Sequence, residues 1–195
     1  PIKVFALIEV DITRGNLNPL PLAVSPLSID DKSKKSFEKI LKKENIGSEI
    51  STIVANNLRT SGLFNPLNRD AFLQAPDIAN LKPRFEDWNL IKAQALITGK
   101  VTYVDEKLRV EFRLWDILAA KEMMALAFTT VPSNWRRVGH IISDKVYERL
   151  TGEKGYFDTR IIYVAEEGPK TQRKKRLAIM DQDGANNKFL TLGNE

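Results

Sequence analysis

Apolar residues recur along this chain with a period of either three to four or two, and the places where the period changes mark its elements. From Ser48, the residues Ile50, Ile53, Val54 and Leu58 share one side of a helix. Ser48 is placed to cap that helix and Gly62 to end it, ahead of Leu63-Phe64-Asn65-Pro66. A shorter helix is predicted over Phe85–Ile91, after Pro83. Ala95–Val104 and Leu108–Trp115 then read as two strands joined through Asp105-Glu106-Lys107, and Glu122–Thr130 as a third. The helical period returns over Ser133–Leu150, where Trp135, Val138, Ile141, Ile142, Tyr147 and Leu150 face a core and Arg136, Arg137, Asp144 and Glu148 fall elsewhere. Gly152 suits the left-handed residue that ends this helix, and Gly155 loosens the connection after it.

Three short strands follow: Ile161–Val164, Leu177–Met180 and Phe189-Leu190-Thr191, with Asp183-Gly184 as a tight-turn signal before the last. A meander of this size cannot bury both its faces, because an isolated hairpin is only marginally stable in water. The pattern therefore predicts a sequence that stops inside a larger β structure. Residues after about Phe157 are expected to be disordered or to borrow a partner, as in a strand-exchanged dimer.

The two ends of the N-terminal region read less simply. Ile8-Glu9-Val10-Asp11-Ile12-Thr13-Arg14-Gly15 alternates apolar and polar residues as a half-buried strand does, with Ile8, Val10 and Ile12 on one side. Asn16–Pro21 breaks it, and Pro19 and Pro21 forbid a central-strand continuation before Leu22–Leu27 resumes an apolar run. An alternating strand before a proline-rich hinge can be an edge strand of its own domain or can pair with another protein's sheet edge. Within residues 1–6, Val4-x-Ala6 matches the small-residue spacing that ends a secretory signal peptide; the plainer reading is a first strand over Ile2–Ile12. Ser28–Asn45 is the most charged stretch, with Lys32, Lys34, Lys35, Lys39, Lys42 and Lys43 against Asp30, Asp31, Glu38 and Glu44. Phe37, Ile40, Leu41 and Ile46 run a narrow apolar stripe through it, so it reads as a short surface helix or a partly ordered insertion.

Strand, helices, three strands and a helix make an α+β layout: a mixed β-sheet with helices packed on one face. A chain of 195 residues with 43% hydrophobic content can bury one good core and a small appendage. No stretch approaches the roughly 18 consecutive apolar residues of a membrane span. Without cysteine there is neither a disulfide framework nor thiol catalysis. The lone histidine, His140, lies beside Val138, Ile141 and Ile142 and reads as a packed helix residue, so neither a catalytic triad nor a zinc cluster is available. No Gly-x-x-x-x-Gly-Lys loop is present. Asp181-x-Asp183-Gly184 fails as a calcium loop, since Asn186 and Leu192 stand where glycine and glutamate are required. The expectation is a non-enzyme with no catalytic residue, cofactor or metal. A net charge of +5 and the basic run Lys170-Thr171-Gln172-Arg173-Lys174-Lys175-Arg176 raise one alternative, a nucleic-acid-binding domain. That run sits in a loop led by Gly168-Pro169, with too few aromatic neighbours to stack bases, so a solvated hairpin loop is preferred and no nucleic-acid partner is expected.

Several ordered motifs agree with one family. Leu150-Thr151-Gly152, Phe157-Asp158-Thr159-Arg160-Ile161 and Asp181-Gln182-Asp183-Gly184, together with Leu58-Arg59-Thr60-Ser61-Gly62-Leu63-Phe64-Asn65-Pro66-Leu67 and Val138-Gly139-His140 before Ser143-Asp144, resemble the TolB family of the bacterial Tol-Pal system. The resemblance implies an N-terminal α/β domain over residues 7–152, akin to the anticodon-binding domains of aminoacyl-tRNA synthetases. Residues 153–195 would then be a linker and the incomplete first blade of a β-propeller. It also implies export, which favours a signal-peptide remnant at residues 1–6 and a periplasmic location. The implied role is an adaptor of the cell envelope that supports outer-membrane integrity, cell division and protein import. In such an adaptor, Ile8, Glu9, Val10, Asp11, Ile12, Thr13, Arg14 and Gly15 would contact TolA, and the propeller would contact Pal, with other outer-membrane proteins as further candidates. The basic stretch around residues 32–45 departs from the family's shorter, less basic loop.

Overall fold

The computed structural model describes residues 18–193. The chain divides into two compact units, with the boundary between Gly155 and Tyr156.

The first unit is built on a six-stranded sheet in the order β3-β1-β4-β5-β6, with β2 also paired to β4. Its strands are β1 (Leu20–Val24), β2 (Ser28–Ile29), β3 (Phe64–Pro66), β4 (Ala95–Val104), β5 (Lys107–Asp116) and β6 (Lys121–Thr130). β1 runs parallel to both β3 and β4, β2 continues along β4, and β4, β5 and β6 form an antiparallel meander. The sheet is therefore mixed, in an α+β fold. The β4–β5–β6 meander falls within a residue or two of the bounds that alternation predicts, because each strand has one face in the core. Leu108, Val110, Phe112 and Leu114 of β5 are all fully buried, and Arg109, Glu111, Arg113 and Trp115 point the other way.

Three helices cover the face carrying Leu22, Val24, Ile97, Val101 and Phe112: α1 (Asp31–Leu41), α2 (Ile46–Thr60) and, later in the chain, a helix over Trp135–Thr151. Two short helices, α3 (Pro76–Leu81) and α4 (Phe85–Leu90), precede it in sequence and make it α5. With them, Ala79, Trp88 and Ala93 form a smaller cluster on Ala23, Leu96 and Ile117, residues that alternate away from the main core. Its polar atoms are satisfied. Gln74 Oε1 accepts from Trp88 Nε1 and from the Arg84 N–H, both at 3.0 Å, and Trp115 Nε1 donates to Thr98 Oγ1 at 2.9 Å.

Several local expectations need correction. Pro21 lies inside β1, a central strand. It is tolerated because the ladder with β4 starts one residue later, at Leu22↔Ala95, while on the other side Leu20 N–H donates to Leu63 O. Asn45, not Ser48, caps α2, its Oδ1 accepting from Ser48 N–H at 3.2 Å. Ser133 sits in a 3-10 turn, Pro132–Asn134, and α5 begins at Trp135. The charged stretch, by contrast, takes the first of its two readings, a short helix, α1, capped by Asp30, whose Oδ1 accepts from Ser33 N–H at 2.9 Å. It is anchored by Phe37, fully buried and edge-on to Tyr103, and by Ser33 Oγ, which accepts from Tyr103 N–H at 2.8 Å. Burying such an aromatic side chain contributes about 1.5–3 kcal/mol. Gly47 is where the sequence allows α2 to approach β1's exit, since a Cβ there would lie 2.2 Å from Leu27 O.

The second unit is a three-stranded antiparallel meander, β7 (Arg160–Glu167), β8 (Lys174–Asp181) and β9 (Lys188–Phe189). Regular strands thus stand where the sequence allows disorder. Ile162, Val164, Phe189, Leu190 and Leu192 are exposed. The turn that closes β8 accounts for the paired aspartates: Gly184 N–H donates to Asp181 O at 2.9 Å, Ala185 N–H to Asp183 Oδ1 at 3.1 Å, and Gly184 takes φ +84°.

Candidate functional site

The segment predicted to meet a partner, Ile8 to Gly15, lies outside the described residues, as does the candidate signal remnant at residues 1–6. What the structure gives is the point at which that segment joins the domain. Asn18 and Pro19 are exposed, and the chain passes from them straight into β1, whose Leu20 is buried. β1 is held on both sides: Leu20 N–H donates to Leu63 O, Leu67 N–H to Leu22 O, and Gln94 N–H to Pro21 O, each at 2.9 Å. The chain therefore enters the domain, from Asn18, at a strand with neighbours on both sides and not at an edge.

His140 is 3% exposed at the contact of α2 and α5. The Asn57 side-chain amide donates to His140 Nδ1 at 2.9 Å and to Ser143 Oγ at 3.0 Å, and Ser143 Oγ donates to Gly139 O at 2.8 Å. With the amide nitrogen so placed, Nδ1 is the acceptor. Beside this cluster the helices approach closely, since a Cβ on Gly139 would lie 3.0 Å from Ile53 Cγ2. The arrangement joins two helices through buried, hydrogen-bonded polar groups. Its burial agrees with His140 as a packed residue. Sequence reasoning placed Val138 and Ile142 on the core face but missed Ser143 and Asn57. The available signal was spacing: His140 and Ser143 lie three residues apart on that same face.

The basic run is largely matched within its own hairpin. Register sets Glu166 opposite Lys175 and Glu167 opposite Lys174. Arg173 and Lys175 pair with Glu166, Arg176 with Glu167, and the Arg176 guanidinium lies 3.7 Å from the Phe189 ring centroid. The Arg173 and Lys175 hydrogen bonds hold the Glu166 carboxyl below its ordinary range. Charges engaged across strands are not a row of free cations for phosphates. Among the described residues, no helix is long and apolar enough to cross a membrane.

Comparison with known proteins agrees with this geometry. Residues 8–123 match the model of the TolB amino-terminal domain. The whole chain is 85% identical over 195 residues to the Tol-Pal system protein TolB of Pelagibacter ubique (strain HTCC1062), and spans 44% of that relative's length. Among solved structures, the crystal structure of TolB from Acinetobacter baumannii superposes with a TM-score of 0.70 over 89% of this chain and 38% of the other, at 23% identity, a likeness of fold. A mixed sheet under α1, α2 and α5, a domain-family match across most of that unit and a near-identical relative along the full chain together establish that this chain belongs to the TolB family, a component of the Tol-Pal system.

Proposed function

We propose that the chain is the N-terminal part of a non-enzymatic periplasmic adaptor, which offers residues Ile8 to Gly15 as an extended strand to TolA and reaches Pal through a propeller whose first blade begins with the β7–β9 meander. The observation that carries the reading is the tether: an alternating segment leaves an exposed Asn18-Pro19 and runs directly into a strand paired on both sides. Strand addition supplies affinity through main-chain hydrogen bonds, and the apolar side of Ile8, Val10 and Ile12 supplies specificity. A central anchor suits a protein that transmits force between two membranes, because extracting β1 would require breaking both of its ladders at once. Pal binding would act as a switch by favouring either a docked or a released N-terminal strand, which requires different affinities for the two states. Such an adaptor supports outer-membrane integrity, cell division and protein import.

The test is isothermal titration with the C-terminal periplasmic domain of the cognate TolA, comparing the intact chain with one beginning at Asn16. Heat of binding that disappears on truncation places the contact on Ile8 to Gly15. Equal binding by both forms moves the contact onto the folded domain and overturns the assignment. This chain should also bind Pal much more weakly than a protein carrying the complete propeller.

A further inference from the structure

The two edges of the six-stranded sheet are built on opposite plans. β3 closes one edge with three residues and ends in Pro66, which has no N–H to offer another strand. β6 closes the other with ten residues and, among the described residues, pairs only with β5. Its two charged residues, Lys121 and Glu122, stand at its start, and from Met123 to Thr130 there is neither charge nor proline. A register shift leaves Met123 without an opposite number on β5, and Arg149 Nε donates to Met123 O at 3.4 Å, so this first part of the edge is bulged and covered. From Met124 onward no other strand pairs with this edge among the described residues. Ala125, Leu126 and Ala127 are exposed. Natural sheet edges ordinarily carry lysine, proline or a sharp twist, because their unpaired N–H and C=O groups template another strand.

The open edge also complements itself. In an antiparallel pair centred on Leu126, Met124 stands opposite Phe128 of a second copy, Leu126 opposite its own equivalent, and Ala125 opposite Ala127. Lys121 and Glu122 lie beyond the bulge and outside this paired segment, so no like charges meet within it. Met124, Leu126 and Phe128 share the face on which their β5 partners Leu114, Phe112 and Val110 form the core, and Phe128 stacks on Phe112 with ring centroids 6.1 Å apart. The helix layer thins outward along this face. Phe112 and Leu114 are fully buried, Met124 and Phe128 are half-buried, and Leu126 is 38% exposed.

We propose that β6 is a self-association edge, through which two copies of this chain pair antiparallel over Met124–Phe128 about a two-fold axis, fusing their sheets into one. A two-fold contact is isologous and needs a segment complementary to itself, which this one is. A foreign extended peptide would satisfy the backbone equally well. Only a second copy uses the matched order of large and small side chains.

Sedimentation velocity across a broad concentration series tests the proposal on the full 195-residue chain. The wild type should move from monomer to dimer as concentration rises. Leu126→Lys and Leu126→Glu each set like charges face to face on the axis, and each should weaken association by at least about tenfold. Mixing the two variants should restore a dimer, a rescue that only folded chains with this register can give. Amide hydrogen exchange of the wild type supplies a second readout, in which protection within Met124–Thr130 should rise with concentration. A wild type that stays monomeric, variants that dimerise like the wild type, or a dimer abolished by Ile162→Lys in the meander but not by Leu126→Lys would each overturn the proposal. So would an extended peptide that protects β6 in a chain that remains monomeric.

Discussion

Phe112 and Ile162 are both large apolar residues in the middle of antiparallel strands, yet Phe112 has no exposed surface and Ile162 is 62% exposed. The ladders around them are alike in kind: β5 is paired on both sides, and β7 pairs with β8 along its whole length. What differs is the second layer. In the first unit, α1, α2 and α5 lie over one face and α3 and α4 over part of the other, so alternation becomes a core. In the meander, cross-strand pairs such as Glu166 with Lys175 stabilise the register, and the apolar side chains are still left at the surface. Hydrogen-bonded pairing can fix a strand's neighbours without providing burial, which is where most of the folding free energy comes from.

The sharpest way to break this contrast is a matched pair of truncations. Phe112→Ala should cost about 3–5 kcal/mol by removing a fully buried ring from the main core. Ile162→Ala should stay within about 0.5 kcal/mol, as substitutions away from a core do. Urea unfolding followed by far-ultraviolet circular dichroism, which reports on both units, compares them, and equal costs would mean that the meander buries more than its exposure indicates. A smaller effect is expected at the helix contact. Asn57→Ala removes the amide that donates to both His140 Nδ1 and Ser143 Oγ and should cost about 1–3 kcal/mol, read from the shift in the urea midpoint. The smallest concerns α1. Asp30→Ala should cost about 1 kcal/mol by deleting the cap. The backbone hydrogen bond from Ser33 is the main reason that the folded Asp30 carboxyl titrates below its ordinary value. The cap therefore contributes fully above the unfolded carboxyl's range and is lost as pH falls through the lower, folded value. In acid the wild type and Asp30→Ala should converge in thermal stability, and a gap that persists there would assign the effect to packing.

The N-terminal anchor shows how legibility failed locally. Pro19 and Pro21 read as a break, and the inference was sound for a residue whose N–H a neighbour needs. Pro21 escapes it because β4 joins one residue later, a fact of register that no property of Pro21 encodes. Asn45 was overlooked as the cap of α2 because Ile46 and Gly47 precede the periodic run, and both are buried against other elements. Over Lys32 to Lys43 charge dominates the composition and leaves a short surface helix and a partly ordered insertion both open, and burial of Phe37 and Ser33 decides for the helix. α3 went unseen because a helix of only six residues is too short to show a period.

Periodicity by itself determined α2, α5 and the β4–β5–β6 meander, because each has a face whose burial demands a particular spacing. It also determined the strands of the second unit and the turn at Asp183-Gly184, where local turn chemistry is sufficient. Only the tertiary structure decided that β1 is central, that Asn57 finds His140 and Ser143 across two helices, and that β6 is an edge strand among the described residues. Those facts depend on which strands and helices become neighbours, and neighbour choice is fixed by the summed burial of the whole sheet, not by any segment's own pattern.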